Sequence, residues 1–361
     1  MTAAPRSRAQ RIAIACVFVI AATVLQLLRQ RGQHPWDTIA PDDGTGYLQA
    51  AWSDHPVSLI WTQYAGYLQV GIRLVAAPLA LLPLSWAARY LAVAGALSLS
   101  LMGLFVVRAS EGLVRQPSLR WLLGLVLVLG PAVGLETSAL ISELQFPLFF
   151  AAFWAVLAVG GPRWFTLTRM VVVGLACLSN PIALSLIPLA VVVAVARRRR
   201  TEYAVTGALL VGALGQAITL LTVPTPPPLV PRTLDGVVGI YGQRVVAGTV
   251  VGEEWLQSAW LRHGSSLSVV SVMVVLALVL LFGATTVRSQ WWYAAAALVW
   301  SCGILVFALY TRGLVPFLLA RPDFFTHAGA RYVLIPSWLL VSALVLLAGG
   351  HPRAVPAWLG R

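Results

Sequence analysis

The chain has 361 residues, of which 59% are hydrophobic and only 10% charged. Soluble domains carry about a quarter charged residues, so a water-soluble globule is excluded and lipid must solvate part of the surface. The net charge of +13 comes from 25 basic residues, all arginine, against 12 acids; a basic balance of this kind points to nucleic acid in a soluble protein, but the placement of the arginines accounts for it differently here.

Arg6, Arg8 and Arg11 precede the first apolar stretch, 12–28. It runs into Leu27-Leu28-Arg29-Gln30-Arg31 with no small-residue cleavage site, so it reads as an uncleaved first span. The segment 29–86 follows as a long loop with Asp37, Asp42, Asp43 and Asp54, and with His34 and His55 alongside. Within it, 67–84 is apolar but carries Gln69 and Arg73 four residues apart, on one helix face, and Pro78 and Pro83 interrupt it. A charge at mid-span costs about 2.5–3.5 kcal/mol on insertion scales, so this stretch is expected to lie in the interface. Arg73 there either faces a phosphate or snorkels to headgroups.

Further apolar runs occupy 87–107, 119–135, 144–160, 166–179, 182–196, 203–222, 265–283, 291–310 and 331–348. Ser179-Asn180-Pro181 divides 166–196, which is either one kinked helix or two short spans joined by a tight turn. With 67–84 in the interface and 166–196 as two spans, the chain has about ten transmembrane helices with both termini on one side. Fifteen of the 25 arginines and two of the 12 acids, Glu111 and Glu202, then share that side, so it carries the whole net charge. The positive-inside rule makes it cytoplasmic. Either alternative segmentation alone would place Arg197 to Arg200 outside. The expected plan is a single polytopic all-α membrane domain over 1–350 with outer loops 29–86, 223–264 and 311–330, and a short cytoplasmic tail, 351–361. The second outer loop opens proline-rich, then sets Leu234, Val237, Val238, Tyr241 and Val245 at helical spacing with Gln243 and Arg244 interleaved, the pattern of a surface amphipathic helix. The three cysteines each sit in an apolar run, which disfavours a disulfide framework or a zinc site.

The richest stretch for chemistry is Ala40-Pro41-Asp42-Asp43-Gly44-Thr45-Gly46-Tyr47-Leu48. A carboxylate just outside the first span could take a proton from a hydroxyl or hold a cation. The same residues also suit a plain Asp-Gly turn. Gly44 and Gly46 permit a tight return of the backbone. Glu136 and Glu143 flank the short turn after the third span, either pointing into an outer cavity or simply solvated.

The order of one span, a long outer loop with Asp-Asp and Tyr-Leu, a Tyr-rich stretch (Tyr64-Ala65-Gly66-Tyr67-Leu68) and Ala88-Arg89-Tyr90 entering the next span resembles the polyprenyl-phosphate-sugar-dependent glycosyltransferases of the GT-C class. Ser179-Asn180-Pro181 before an arginine run, and Ala330-Arg331-Tyr332-Val333-Leu334-Ile335-Pro336, are similar to the short hairpin and the last core span of that class. It is closer still to bacterial membrane proteins of the same plan. The resemblance implies a GT-C-like fold in a bacterial plasma membrane. It implies Asp43 or Asp42 as the base or acceptor-orienting acid, Asp43 foremost, and Arg331, with Arg73 second, as partner of the donor phosphate. Glu143, Tyr47 and Tyr332 are the candidate cavity residues. A divalent cation at the aspartates is the only cofactor envisaged, and the sequence fixes no metal. The implied partners are a polyprenyl-phosphate-linked sugar, membrane lipids and a glycan or lipid acceptor, with no nucleic acid. The chain departs from the class where Asp54-His55-Pro56-Val57 stands in place of a His-Pro-Pro turn. The rival readings are a lipid-carrier flippase or transporter, and a non-catalytic scaffold for cell-envelope assembly. Nearly every charge falls at a span end or in a loop, which disfavours ion-coupled transport.

Overall fold

The computed structural model describes residues 7–29, 35–40, 42–53, 56–130, 140–223, 234, 236–252, 258, 262–285, 290–312 and 331–349. Among them all regular structure is helical, apart from one isolated antiparallel bridge between Tyr64 and Tyr67. The principal helices are α1 (Arg8–Arg29), α2 (Gln49–Ser53), α3 (Pro56–Trp61), α4 (Val70–Ala76), α5 (Leu84–Ala109), α6 (Pro117–Leu129), α7 (Gln145–Leu157), α8 (Arg163–Cys177), α9 (Leu186–Arg197), α10 (Arg200–Thr222), α11 (Val237–Ile240), α12 (Gly248–Val251), α13 (Ser265–Thr285), α14 (Trp291–Arg312) and α15 (Arg331–Gly349).

Proline sets several of the starts. Pro83 and Pro162 stand immediately before α5 and α8, and Pro117 opens α6, where its fixed φ and missing N–H cost nothing. Between α9 and α10, Arg198 takes a left-handed conformation (φ 52) and turns the chain within two residues.

Among the described residues, five helices are long and apolar enough to cross a membrane: Arg8–Arg29, Leu84–Gly112, Arg200–Thr222, Trp291–Thr311 and Arg331–Gly349. That is the composition and geometry of an α-helical membrane protein. Others of the expected spans are shorter. Pro117–Leu129, with 13 residues, reaches about 20 Å along its axis. The stretch 166–196 is two helices, α8 and α9, bent 118° from one another across Pro181–Ser185, so a single kinked rod is not what forms there. Asn180 caps the break by accepting the Ile182 N–H at 3.0 Å. The tail 351–361, most of 311–330 and the proline-rich opening of 223–264 lie outside the described residues.

α7 is the hub. All 13 of its residues are buried, and it packs against α5, α8, α9 and α15. α1 packs on α5, α5 on α6, α8 on α10 and α14 on α15. The principal core draws on Phe146, Phe149, Phe150, Phe153, Trp154 and Trp338 among others. A second, smaller core lies under the first long loop: Tyr47, Leu48, Ala51, Leu59, Ile72 and Leu79 close onto Leu91 of α5 and onto Ile141 and Leu144 ahead of α7.

Two expectations about surface helices change. The helix over Val237–Val251 does not lie with its polar residues outward, because Gln243 and Arg244 are buried while Val238 is 82% exposed. The segment packs against α13 and α15 and buries its polar side there. In 67–84 only Val70–Leu81 is helical, and Gln69 and Arg73 are both buried.

Candidate functional site

Asp42 to Leu48 form a turn that continues into α2, with a wide π-helical register over Asp43–Leu48. The two adjacent aspartates point to different places. Asp43 is 2% exposed. Its two oxygens accept the backbone N–H groups of Ser142 (3.0 Å) and Ile141 (3.2 Å), just ahead of α7. Burial raises the Asp43 carboxyl above its ordinary value of 3.8, outweighing those amides, which act in the opposite direction. Asp43, the residue expected foremost as base, therefore docks the loop to the start of α7. An acid whose two oxygens already hold backbone amides has little left to offer a hydroxyl.

Asp42 faces the other way, with 41% of its side chain exposed. Its Oδ2 lies 3.4 Å from Nη1 of Arg331, the first residue of α15. The same Nη1 donates to Glu143 Oε1 at 2.9 Å. Arg331 is about one-third exposed and Glu143 4%, so the guanidinium bridges a buried acid and an open one. Tyr332 lies under the guanidinium, 5.8 Å from its ring centroid, and meets Phe146 of α7 edge-on. The Tyr64 hydroxyl faces Asp42, and burial first, then the Asp42 charge, push it up to about 12. It therefore stays protonated at neutral pH, with its hydroxyl near the carboxylate. Glu136, the other acid of the turn before α7, lies outside the described residues.

Beneath this surface runs a directed chain of hydrogen bonds. Tyr47 donates to Gln69, Gln69 Nε2 to the Tyr67 hydroxyl (3.1 Å), Tyr67 to Gln145 (3.3 Å), and Gln145 Nε2 to the Ser142 carbonyl (3.4 Å). Ser142 in turn donates its N–H to Asp43. Tyr47 is wholly buried and stacks on Tyr64 with centroids 5.8 Å apart. A Cβ at Gly46 would meet the Tyr64 ring at 3.0 Å, so the small residue admits that ring.

Arg73 belongs to this buried layer and not to the headgroup region. Its Nη1 donates to the Gly46 carbonyl at 2.7 Å, and its guanidinium carbon sits 4.9 Å from the Tyr47 ring. Only 2% of it is exposed, so it neither snorkels nor offers a face to a phosphate in this arrangement. Its partners lie 27 residues away in the chain, too far for the local pattern to indicate them.

Of the seven residues singled out from the sequence, the structure gathers all around the mouth of α7 but in two layers. Asp42, Glu143, Arg331 and Tyr332 form the upper one, Asp43, Tyr47 and Arg73 the lower. Tyr64, Tyr67, Gln69 and Gln145 complete the arrangement without having been named as site residues; the signal was present in a Tyr- and Gln-rich stretch on a segment too polar to span. No group of three or more metal-ligating side chains occurs among the described residues, which leaves the envisaged divalent cation without a ready-made cage. Chemically, the upper layer offers one partly open carboxylate, one cation held beside it, and one protonated phenol. No family model matches the chain, and no curated protein or solved structure does either.

Proposed function

We propose that this chain is a membrane glycosyltransferase of GT-C type, transferring a sugar from a polyprenyl-phosphate carrier to an acceptor hydroxyl at the membrane face where α7 begins. The observation that carries the reading is the meeting of Arg331 with Asp42 across 289 residues of sequence, which sets a fixed cation against a partly exposed carboxylate. In the reaction, the Asp42 carboxylate takes the proton of the acceptor hydroxyl as that oxygen bonds to the anomeric carbon. The bond from that carbon to the phosphate oxygen breaks, and the electron pair leaves on the polyprenyl phosphate. Arg331 stabilises the developing charge, more strongly in a poorly hydrated site than in water. Glu143, at the other side of the guanidinium, holds it in place.

The reading includes the topology of about ten spans, with α7 starting on the extracytoplasmic side of a bacterial plasma membrane and both termini in the cytoplasm. Support comes from the sidedness of the arginines and from the GT-C-like order of loop and spans. Single cysteines at Gly44 and Thr201 provide the topology test: an impermeant thiol reagent applied to intact cells should label the first and not the second.

The activity test uses purified protein in lipid nanodiscs with a panel of radiolabelled polyprenyl-phosphate sugars and hydroxylated acceptors. Transfer should fall by about 10²–10³-fold in Arg331→Gln and by a comparable factor in Asp42→Asn. Undiminished transfer by Asp42→Asn would remove this mechanism.

A further inference from the structure

At the end of the molecule opposite the Asp42–Arg331 cluster, three helix ends meet: the start of α1, the end of α5 and the start of α6. Arg108 lies in the last turn of α5 and Arg120 in the first turns of α6. One acid serves both. Glu111 pairs with Arg108, and its other oxygen is 3.8 Å from Nη1 of Arg120. Arg11 of α1 and Arg120 both lie within electrostatic reach of Arg108. Two guanidinium groups therefore share the Glu111 carboxylate, with Arg11 near Arg108, and these four described side chains sum to a charge of +2. Arg120 is only 21% exposed in its side chain, and its Nε has no hydrogen-bond partner among the described residues. The first turn of α6 receives no side-chain cap from Gln116, so its amide dipoles add to the positive field.

The group is held rigidly. Gly103 and Gly124 bring α5 and α6 into backbone contact, such that a Cβ on Gly103 would lie 2.9 Å from the Gly124 carbonyl. Phe18 of α1 packs on Trp121 of α6 with centroids 5.1 Å apart. The Phe165 ring fixes Arg108 from the α8 side at 5.3 Å. Following Arg11 along α1, Ile12 and Val17 are 55% and 66% exposed, apolar side chains close to the arginine in the same helix.

We propose that this junction is a binding site for the headgroup phosphate of an anionic phospholipid, with Arg108 and Arg120 as its principal donors, Arg11 in support, and the acyl chains along the exposed face of α1. A phosphate monoanion would halve the local charge and give Arg120 a closer acceptor than the Glu111 oxygen at 3.8 Å. A phosphodiester with chains fits where a free phosphate does not, because the arginines adjoin an apolar helix face at a membrane boundary. Basic pockets between span ends bind the headgroups of such lipids. The inference is independent of the proposed catalysis, since the two sites lie at opposite ends of the fold.

The test is binding of phosphatidylglycerol to detergent-purified protein, read by native mass spectrometry and by melting temperature. Phosphatidylcholine and inorganic phosphate are the comparison ligands. Phosphatidylglycerol should bind and raise the melting temperature, and the other two should not. The double variant Arg108→Gln/Arg120→Gln should bind it at least about tenfold more weakly. Glu111→Gln removes the competing acid and should bind it more tightly, by about fivefold, a gain that a misfolded protein would not show. Arg199→Gln, at an exposed arginine between α9 and α10, should leave binding unchanged. Equal binding by the double variant, weaker binding by Glu111→Gln, or an equal response to inorganic phosphate would each overturn the proposal.

Discussion

The two ends of α7 carry the same chemical ingredients and use them differently. Where the helix begins, Asp43 accepts two backbone amides and Glu143 holds Arg331. Where it ends, Arg169 and Arg197 donate to its last carbonyls: Arg169 Nε to Ala155 (2.8 Å), Arg197 Nη1 to Ala158 (2.8 Å) and Nη2 to Leu157 (2.7 Å). Acids at the start and arginines at the end complement the helix macrodipole and satisfy groups that a buried helix cannot present to water. The difference is in closure. Arg169 and Glu202 form a 2.6 Å pair with side chains 0% and 2% exposed, and Arg197 stands 3.6 Å from the same acid at 7%. The Asp42–Arg331 pair is one-third or more open on both sides. A closed cluster can only hold the fold; an open one can exchange a partner.

The largest stability effect should therefore arise at the closed end. Glu202→Gln leaves Arg169 buried without its counter-charge, and loss of a buried pair member costs about 3–5 kcal/mol. The variant should lose monodispersity in detergent or melt far below the parent. Arg331→Gln opens a partly solvated site but also takes the cation from Glu143, whose side chain is 4% exposed, so it should cost less than Glu202→Gln, about 1–3 kcal/mol, while lowering transfer. If the two variants melted alike, the distinction between the ends would fail.

A second step down separates the two aspartates. Asp43→Ala strands the amides of Ile141 and Ser142 and should cost about 1–3 kcal/mol. Asp43→Asn keeps one acceptor in place, so it should fold and retain most of its transfer, in contrast to Asp42→Asn. A transfer-dead but well-folded Asp43→Asn would return the role of base to Asp43.

The pH dependence sharpens the same point. The Asp43 carboxyl is raised above 3.8 by burial, so between that value and its own the folded protein binds more protons than the unfolded chain. The Asp43 contribution to stability is then fully present below 3.8 and lost as pH rises through its folded value. Melting curves of parent and Asp43→Asn across this range should converge at the acid end and separate toward neutrality, with the parent losing relative to the variant. The smallest effect belongs to the hydrogen-bond chain beneath: Tyr47→Phe removes its first donor and should cost about 1 kcal/mol, seen as a modest drop in melting temperature with transfer preserved.

Much of the architecture was legible from residue type and spacing. Apolar runs marked the helices, and Ser179-Asn180-Pro181 marked the 118° break, because proline and a capping asparagine act locally. Asp42 and Arg331 were legible as candidates from the order of loop and spans, and Glu143 from its place at a span end. Their contacts were not, since they close over 188 and 289 residues, and no local pattern encodes such a pairing. For the same reason Arg169, Arg197 and Glu202 read as ordinary cytoplasmic charges, although they lock the end of α7. Arg73 and Asp43 went astray in one direction: each was placed at a surface by its charge, and each is buried by partners that the fold supplies from elsewhere. Trp338 packs on Phe150 in the core with ring centroids 5.7 Å apart, a contact that its place in an apolar run does not specify.

The complete enclosure of α7 bears on how the protein is made. An apolar helix gains little by leaving lipid for the company of other apolar helices, because the two environments are nearly equivalent. On the ten-span reading, α7 can therefore wait in the bilayer without penalty along its length. Only its two ends have unmet requirements, at one of them for the Asp43 turn synthesised about a hundred residues earlier, at the other for Arg169, Arg197 and Glu202, synthesised later. Assembly order in this chain is then governed by the polar ends of one helix: before Glu202 is delivered, the Asp43 contacts at the start of α7 can form while its far end still lacks a counter-charge and Glu143 still awaits Arg331.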